Sequence, residues 1–148
     1  MMASRVDLHT HSTSSDGVLS PTELIDLAYR RGVRIMALTD HDTTEGLAEA
    51  FAATARYPDL TLIPGVEIST DVPSSEVHVL GHFIDWQDQE FQRRLLHMRQ
   101  SRLRRARKMV DKLAALGRPV SWERVQSLAS EGAIGRPHIA RALVEAGH

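Results

Sequence analysis

Asp7-Leu8-His9-Thr10-His11 runs directly into Ser12-Thr13-Ser14-Ser15-Asp16-Gly17, so two imidazoles and two carboxylates fall within ten residues near the N-terminus. Read as a strand over Arg5 to His9, the segment points alternate side chains to opposite faces, so Asp7, His9 and, by continuation, His11 share one face. Imidazole nitrogen and carboxylate oxygen on a common face make a chelating set suited to zinc, manganese or iron. The chain contains no cysteine, which excludes a structural zinc site of the thiolate type. A pair of histidines two apart is weak evidence taken alone, and the support for it comes from three later runs of the chain.

Ile35-Met36-Ala37-Leu38 reads as a buried strand that opens into Thr39-Asp40-His41-Asp42, where a parallel strand would give way to its loop. A third apolar run, Leu60 to Ile68, contains Pro64-Gly65 and then Glu67. A carboxylate inside such a run is costly unless a cation or strong donors compensate it. The fourth run, Glu76 to Ile84, alternates and sets His78 and His82 on the same parity. Each feature has an ordinary reading by itself: Asp16-Gly17 as a turn, Asp40 or Asp42 as a helix cap before Thr43-Thr44-Glu45, His78 as a satisfied core histidine. Together they describe successive strands that each deliver a metal ligand at or near one end, which is how open or barrel-shaped α/β folds build active sites.

The motifs Asp7-Leu8-His9-x-His11-Ser12-x-x-Ser15-Asp16-Gly17, Thr39-Asp40-His41-Asp42, Ile63-Pro64-Gly65-Val66-Glu67-Ile68-Ser69 and Glu76-Val77-His78-Val79-Leu80-Gly81 together resemble the PHP (polymerase and histidinol phosphatase) metallo-phosphoesterase family. Within it the likeness is greatest to the branch of nucleoside 3′,5′-bisphosphate phosphatases and 5′-to-3′ exoribonucleases. The resemblance implies that His9 and His11 bind a first metal, Asp16 and His41 a second and His78 a third, with Glu67 bridging two of them. It implies two or three divalent ions, manganese first and zinc or iron as alternatives, with Glu67, Asp16 and His41 as the catalytic centre. Asp7 and Asp40 are then expected to orient imidazoles, a service that metal-bound histidines usually need. His82, His97 and His148 match no ligand of the family.

The resemblance also sets the expected fold: α/β, the N-terminal part of a distorted (β/α)7 barrel over residues 1–86, with a basic helical insertion over 87–148. The family completes its site with a His-Pro-Gly-like segment and an Asp-x-His segment, neither of which occurs after residue 85. Barrels of this kind need on the order of 200 residues. An incomplete barrel is therefore expected, with little activity on its own and a tendency to self-associate into a homo-oligomer.

Composition fits a globular chain expected in the cytoplasm: 42% hydrophobic, 25% charged, with no apolar run suited to a membrane span or a signal peptide. The net charge of −1 conceals an asymmetry, since residues 1–90 carry −10 and residues 91–148 carry +9. The acidic half is a βα series. Its first helix opens at Ser20-Pro21, with Leu24, Leu27 and Ala28 as the apolar face and Gly32 as the stop, and a second runs from about Thr44 to Arg56. Asp71 to Ser75 is read as a surface loop. Residues 88–116 then form one long helix with a stripe of Leu96, Leu103, Ala106, Val110 and Leu113, ended by Gly117. Two shorter helices come after it, about Ser121 to Ser130 and Pro137 to Ala146.

Eight lysines and arginines lie between Arg93 and Lys108 with no acidic residue among them. Most such charges belong to solvated faces. Arg102 and Arg105, three apart beside the apolar stripe, can instead turn back toward the domain and present guanidinium forks to a phosphate. Gly135-Arg136-Pro137-His138 puts Arg136 and His138 at a helix N-terminus, where unpaired amides already favour anions. The function that emerges is hydrolysis of phosphate esters of nucleotides, either nucleoside 3′,5′-bisphosphates or the 5′ ends of short RNA. Clustered metals would activate water while the basic helices hold a second phosphate. The alternatives are an inactive metal- and nucleic-acid-binding module, or a phosphatase of small phosphomonoesters such as histidinol phosphate.

Overall fold

A computed structural model describes residues 5–72, 75–129 and 133–148. Four strands, β1 (Val6–Thr10), β2 (Ile35–Leu38), β3 (Thr61–Val72) and β4 (Ser75–His82), form one curled sheet in the order β1-β2-β3-β4. The first two pairings are parallel and the last is antiparallel. Between the parallel strands run α1 (Pro21–Arg30) and α2 (Leu47–Thr54). After the sheet come α3 (Gln89–Ala115), α4 (Trp122–Ala129) and α5 (Arg136–Glu145).

The helix starts are set by capping chemistry. Ser20 Oγ accepts the Glu23 N–H at 3.2 Å and Glu23 returns a carboxylate to the Ser20 N–H at 2.9 Å, with Pro21 at the first helical position. Asp88 caps α3 by accepting the Phe91 N–H at 2.7 Å. Gly32 and Gly117, just past α1 and α3, take positive φ of 88° and 75°, where a side chain would be strained.

Two apolar cores result. Ile25, Met36, Leu38, Leu47, Ala50 and Leu62 join α1 and α2 to one face of the sheet. Ala106, Val110, Val125, Ile139 and Ala142 join α3, α4 and α5. Val6, Leu8 and Ile35 at the β1-β2 end of the sheet, and Val77 and Val79 on β4, remain exposed.

Several expectations are corrected. The inward face of α3 is Leu95, Arg102, Ala106 and Val110, whereas Leu96 and Leu103 are 49% and 44% exposed. The reason is polar. The first half of α3 lies along the segment from Asp42 to Glu45, which it grips through Gln92 on Thr44, Arg99 on Thr43 and Glu45, and Arg102 on Asp42. Residues 92, 95, 99 and 102 recur at helical spacing, so a mixed stripe replaces the purely apolar one. Helix α2 starts at Leu47, three residues later than expected, because Asp42 to Glu45 is committed to this contact. The loop read at Asp71 to Ser75 is shorter, since β3 continues through Val72 and β4 begins at Ser75. Pro73, Ser74 and Ser130 lie outside the described residues.

Candidate metal centre

Glu67 sits within β3 where that strand passes from pairing with β2 to pairing with β4, and the backbone of residues 40–42 fixes it there. The Asp42 N–H donates to the Glu67 carbonyl at 2.9 Å and the Glu67 N–H donates to the Asp40 carbonyl at 3.2 Å. Its side chain is 4% exposed and is met by four imidazoles. Glu67 Oε2 lies 2.8 Å from His9 Nε2, 3.0 Å from His11 Nε2 and 3.7 Å from His41 Nδ1, and Oε1 lies 2.5 Å from His78 Nδ1. Asp16 approaches from the other side, 3.7 Å from His11 Nδ1 and 3.6 Å from His41 Nε2.

All six expected ligands therefore converge. They fall into three overlapping groups, His9-His11-Glu67, His11-Asp16-His41 and His41-Glu67-His78, each with donor atoms within 4.8 Å of one another. His11 and His41 each serve two groups, which the simple pairing expected from the motifs does not anticipate. Nor are all the ligands at strand ends: Glu67 and His78 lie inside strands, and β4 runs opposite to the other three. The curl of the sheet brings them over His9, and His82 spans the opening by donating Nε2 to the Leu8 carbonyl at 2.8 Å.

A divalent metal fits this donor set. Two donors each about 2.1 Å from one ion stand roughly 3 to 3.5 Å apart, and the pairs here, at 2.5 to 3.7 Å, bracket that spacing. His41 Nδ1 is buried and among the described residues has no hydrogen-bond partner, which leaves it available to a cation. A proton is disfavoured. Burial, with the positive charge of Arg102 adding to it, lowers the His41 pKa from 6.5 to about 4 against the opposing pull of Asp16 and Glu67. The neutral ring is the form a metal takes. Burial alone would raise the Glu67 carboxyl, but the hydrogen bond from His9, the influence of His41 and the hydrogen bond from His78 together outweigh it and hold the group below its ordinary value.

Asp40 does not bond an imidazole as expected. Its buried carboxylate accepts the Ser12 N–H at 2.7 Å, the Ser12 hydroxyl at 2.6 Å and the Ser15 hydroxyl at 2.6 Å. Ser15 Oγ stands 3.5 Å from His11 Nδ1, so Asp40 reaches His11 through the loop it organises. Asp7 likewise accepts the backbone N–H of His9 at 3.3 Å. In the same loop a β-carbon on Gly17 would stand 2.4 Å from the His11 carbonyl oxygen, so only glycine lets the chain turn back under His11.

The basic residues take distinct positions. Arg102 is buried, with Nε donating to Asp42 Oδ2 at 3.0 Å and Nη2 to Ser69 Oγ. Arg102, Arg105 and Arg136 together line a small crevice with Gly135, and Arg102 and Arg105 also border a cavity of about 160 Å³ that reaches Asp42 and Ser69. His138 is buried at the start of α5, its Nδ1 accepting the Gly135 N–H at 3.0 Å. Burial lowers its pKa, against an opposing pull from Asp16.

Asp42, Ser69, Ser12 and Ser15 were not expected in the site. Ser69 could have been found by parity, two residues beyond Glu67 on one strand face. Asp42 stands in the Thr39-Asp40-His41-Asp42 motif but reads there as a helix cap.

Comparison with known proteins gives the family. The chain is 42% identical over 146 residues to a 5′-3′ exoribonuclease of Haemophilus influenzae, covering 99% of this chain and 53% of that one. It is 42% identical over 143 residues to a 3′,5′-nucleoside bisphosphate phosphatase of Chromobacterium violaceum, covering 96% of this chain and 50% of that one. A solved structure from Bifidobacterium adolescentis, described as a candidate metal-dependent phosphoesterase, superposes with a TM-score of 0.85 at 36% identity, over 96% of this chain and 50% of that one. The chain spans about half the length of the curated relatives it matches. The PHP domain pattern matches residues 7–143, the stretch that also supplies every histidine and carboxylate of the centre, and so the chain belongs to the PHP domain family.

Proposed function

We propose that this chain forms a divalent-metal centre that hydrolyses phosphate esters of nucleotides, with nucleoside 3′,5′-bisphosphates or the 5′ ends of short RNA as substrates and manganese as the ion. The observation that carries the reading is the Glu67 carboxylate held among four imidazoles, with an arginine-lined crevice near Asp16. The names of the exoribonuclease and bisphosphate phosphatase relatives support the substrate class.

A phosphate ester resists attack because its own oxygens repel an incoming nucleophile. Divalent cations held by His9, His11, Asp16, His41, Glu67 and His78 would supply Lewis acidity, acidifying water and drawing charge from the phosphate. The protein does the rest. Glu67 joins two of the three ligand groups from one buried carboxylate, His11 and His41 link these to the third, and the backbone bonds of Glu67 to residues 40–42 keep it from turning away. Arg102 brings a permanent positive charge close to His41. The His138 ring, accepting at Nδ1, keeps Nε2–H as a donor. Arg105 and Arg136, on the two helices flanking the crevice, would hold a second phosphate and so favour bisphosphates over simple esters.

The test is release of phosphate from adenosine 3′,5′-bisphosphate, with and without Mn²⁺, by a version of the chain extended to the length of its relatives, beside a calorimetric Mn²⁺ titration of the 148 residues. Glu67→Gln keeps the size of the side chain and removes its charge, so it should abolish release and weaken Mn²⁺ binding far more than His82→Gln does. Equal Mn²⁺ affinities for the two variants would overturn the assignment.

A further inference from the structure

Asp42 is the point at which the sheet and the long helix α3 meet, and none of the motifs requires what it does there. It is 1% exposed and adopts φ of +54°, a left-handed conformation that aspartate and asparagine accept more readily than most residues. Its N–H and both carboxylate oxygens are used: the N–H donates to the Glu67 carbonyl, Oδ1 accepts the Ser69 N–H at 2.9 Å, and Oδ2 accepts from Arg102 Nε at 3.0 Å. Arg102 is thus gripped along one edge of its guanidinium, by Asp42 at Nε and by Ser69 at Nη2. The remaining nitrogen, Nη1, faces Gly135.

Gly135 explains what Nη1 faces. A β-carbon on this residue would stand 3.6 Å from Arg102 Nη1 and 3.4 Å from Asp16 Oδ2. The backbone of Gly135, at φ −123° and ψ 174°, is ordinary extended chain that any residue adopts. Glycine is therefore not required there by conformation. What its missing side chain leaves is room between a guanidinium donor and a ligand of the metal centre, on the side where the amides at the start of α5 are also found.

We propose that Asp42 is a positioning residue that, acting through Arg102, aims Nη1 at a phosphate-oxygen site between Asp16 and Gly135; this rests on the phosphoesterase reading above. An arginine on a helix has four side-chain torsions and would otherwise sweep a wide volume. Pinning one edge on a buried carboxylate leaves the other edge with a single direction. Arg102 is then both charge-paired and available. A phosphate oxygen in the gap would meet the guanidinium on one side and, with a cation on Asp16, opposite charge on the other. The permanently charged side chain would be specific for a dianionic phosphate end.

The test uses the full chain saturated with Mn²⁺ and titrated calorimetrically with inorganic phosphate. Asp42→Asn, Arg102→Lys and Gly135→Ala are compared with the parent, with Mn²⁺ affinity and Tm measured for each. Asparagine tolerates the backbone of Asp42, so Asp42→Asn isolates the charge. Phosphate affinity should fall roughly tenfold or more in all three variants, while Mn²⁺ affinity changes by less than about twofold and Gly135→Ala keeps the parent Tm. Parallel loss of Mn²⁺ and phosphate binding in Asp42→Asn would make Asp42 a support of the metal centre instead. Unchanged phosphate affinity in Asp42→Asn would make it a structural clip. Should Asp42→Asn not fold, Gly135→Ala decides, and unchanged phosphate affinity there overturns the site. Failure of the parent to bind Mn²⁺ would sink the phosphoesterase reading itself, an outcome distinct from any of these.

Discussion

Truncating Asp40 to alanine removes the acceptor on which the His11 loop is hung. The carboxylate is 2% exposed and takes hydrogen bonds at 2.7, 2.6 and 2.6 Å from the Ser12 amide, the Ser12 hydroxyl and the Ser15 hydroxyl. Bonds to a charged acceptor contribute roughly 1.5 to 3 kcal/mol each. Their simple sum overshoots, because Ser12 and Ser15 can turn to new partners and water can enter the vacated space. About 3 to 5 kcal/mol is the expected loss for Asp40→Ala. Asp40→Asn keeps one carbonyl oxygen for the Ser12 amide and Ser15, and Ser12 Oγ can rotate to accept from the new amide, so about 1 to 2 kcal/mol should go. The same loop carries His11 and Asp16, so Mn²⁺ affinity should fall about 10- to 100-fold in the alanine variant, the scale of losses when a ligand's support is removed. Guanidinium unfolding of the metal-free chain measures the first quantity and calorimetry the second. A cost under about 1 kcal/mol for Asp40→Ala, or the same cost for both variants, would refute the reasoning.

Three further outcomes are expected. Mn²⁺ at about 100 times its Kd should stabilise the chain by about 2.7 kcal/mol, roughly 5 to 10 °C in Tm, and EDTA should reverse the gain; a Tm indifferent to Mn²⁺ would deny the centre. Leu95→Ala, at a site with no exposure, should cost about 2 to 5 kcal/mol, while Leu96→Ala should stay within about 0.5 kcal/mol; denaturation giving the reverse order would return the inward face to the one read from periodicity. His138 has a folded pKa lowered by burial, so the unfolded chain takes up its proton first as pH falls. Its contribution is therefore intact above the ordinary value near 6.5 and is lost as pH drops through that value toward the lower folded one, where protonation of Nδ1 would also break its bond to Gly135. In His138→Gln, stability curves should be flatter through that window, and an unchanged slope would show that another group sets it.

The cluster of candidate ligands was legible because metal chemistry admits few residue types. His9, His11, Asp16, His41, Glu67 and His78 are conspicuous as polar groups in or beside apolar runs, and a carboxylate at Glu67 makes no sense in a strand without compensation. Their convergence was legible too, since side-chain alternation and the order of the strands leave few ways to arrange them. The helix boundaries at Ser20-Pro21 and Gly117 are dictated by local backbone chemistry, which needs no distant partner.

What stayed hidden depends on pairs far apart in the chain. Periodicity put Leu96 and Leu103 inward on α3, but the surface that α3 meets is the polar Asp42–Glu45 segment, about 50 residues away, and a helix turns toward what its partner offers. Asp40 reads as an orienter of imidazoles until Ser12 and Ser15 are seen to occupy its oxygens. Arg102 reads as a phosphate fork, yet one edge of that fork is already spent on Asp42 and Ser69, and only the fold shows which nitrogen remains and that Gly135 leaves space before it. Residue type and spacing determined which atoms could bind a metal or a phosphate. Tertiary structure decided which of those atoms are already engaged, because a hydrogen bond needs its partner within about 3 Å and a single chain position cannot specify a neighbour 60 residues away.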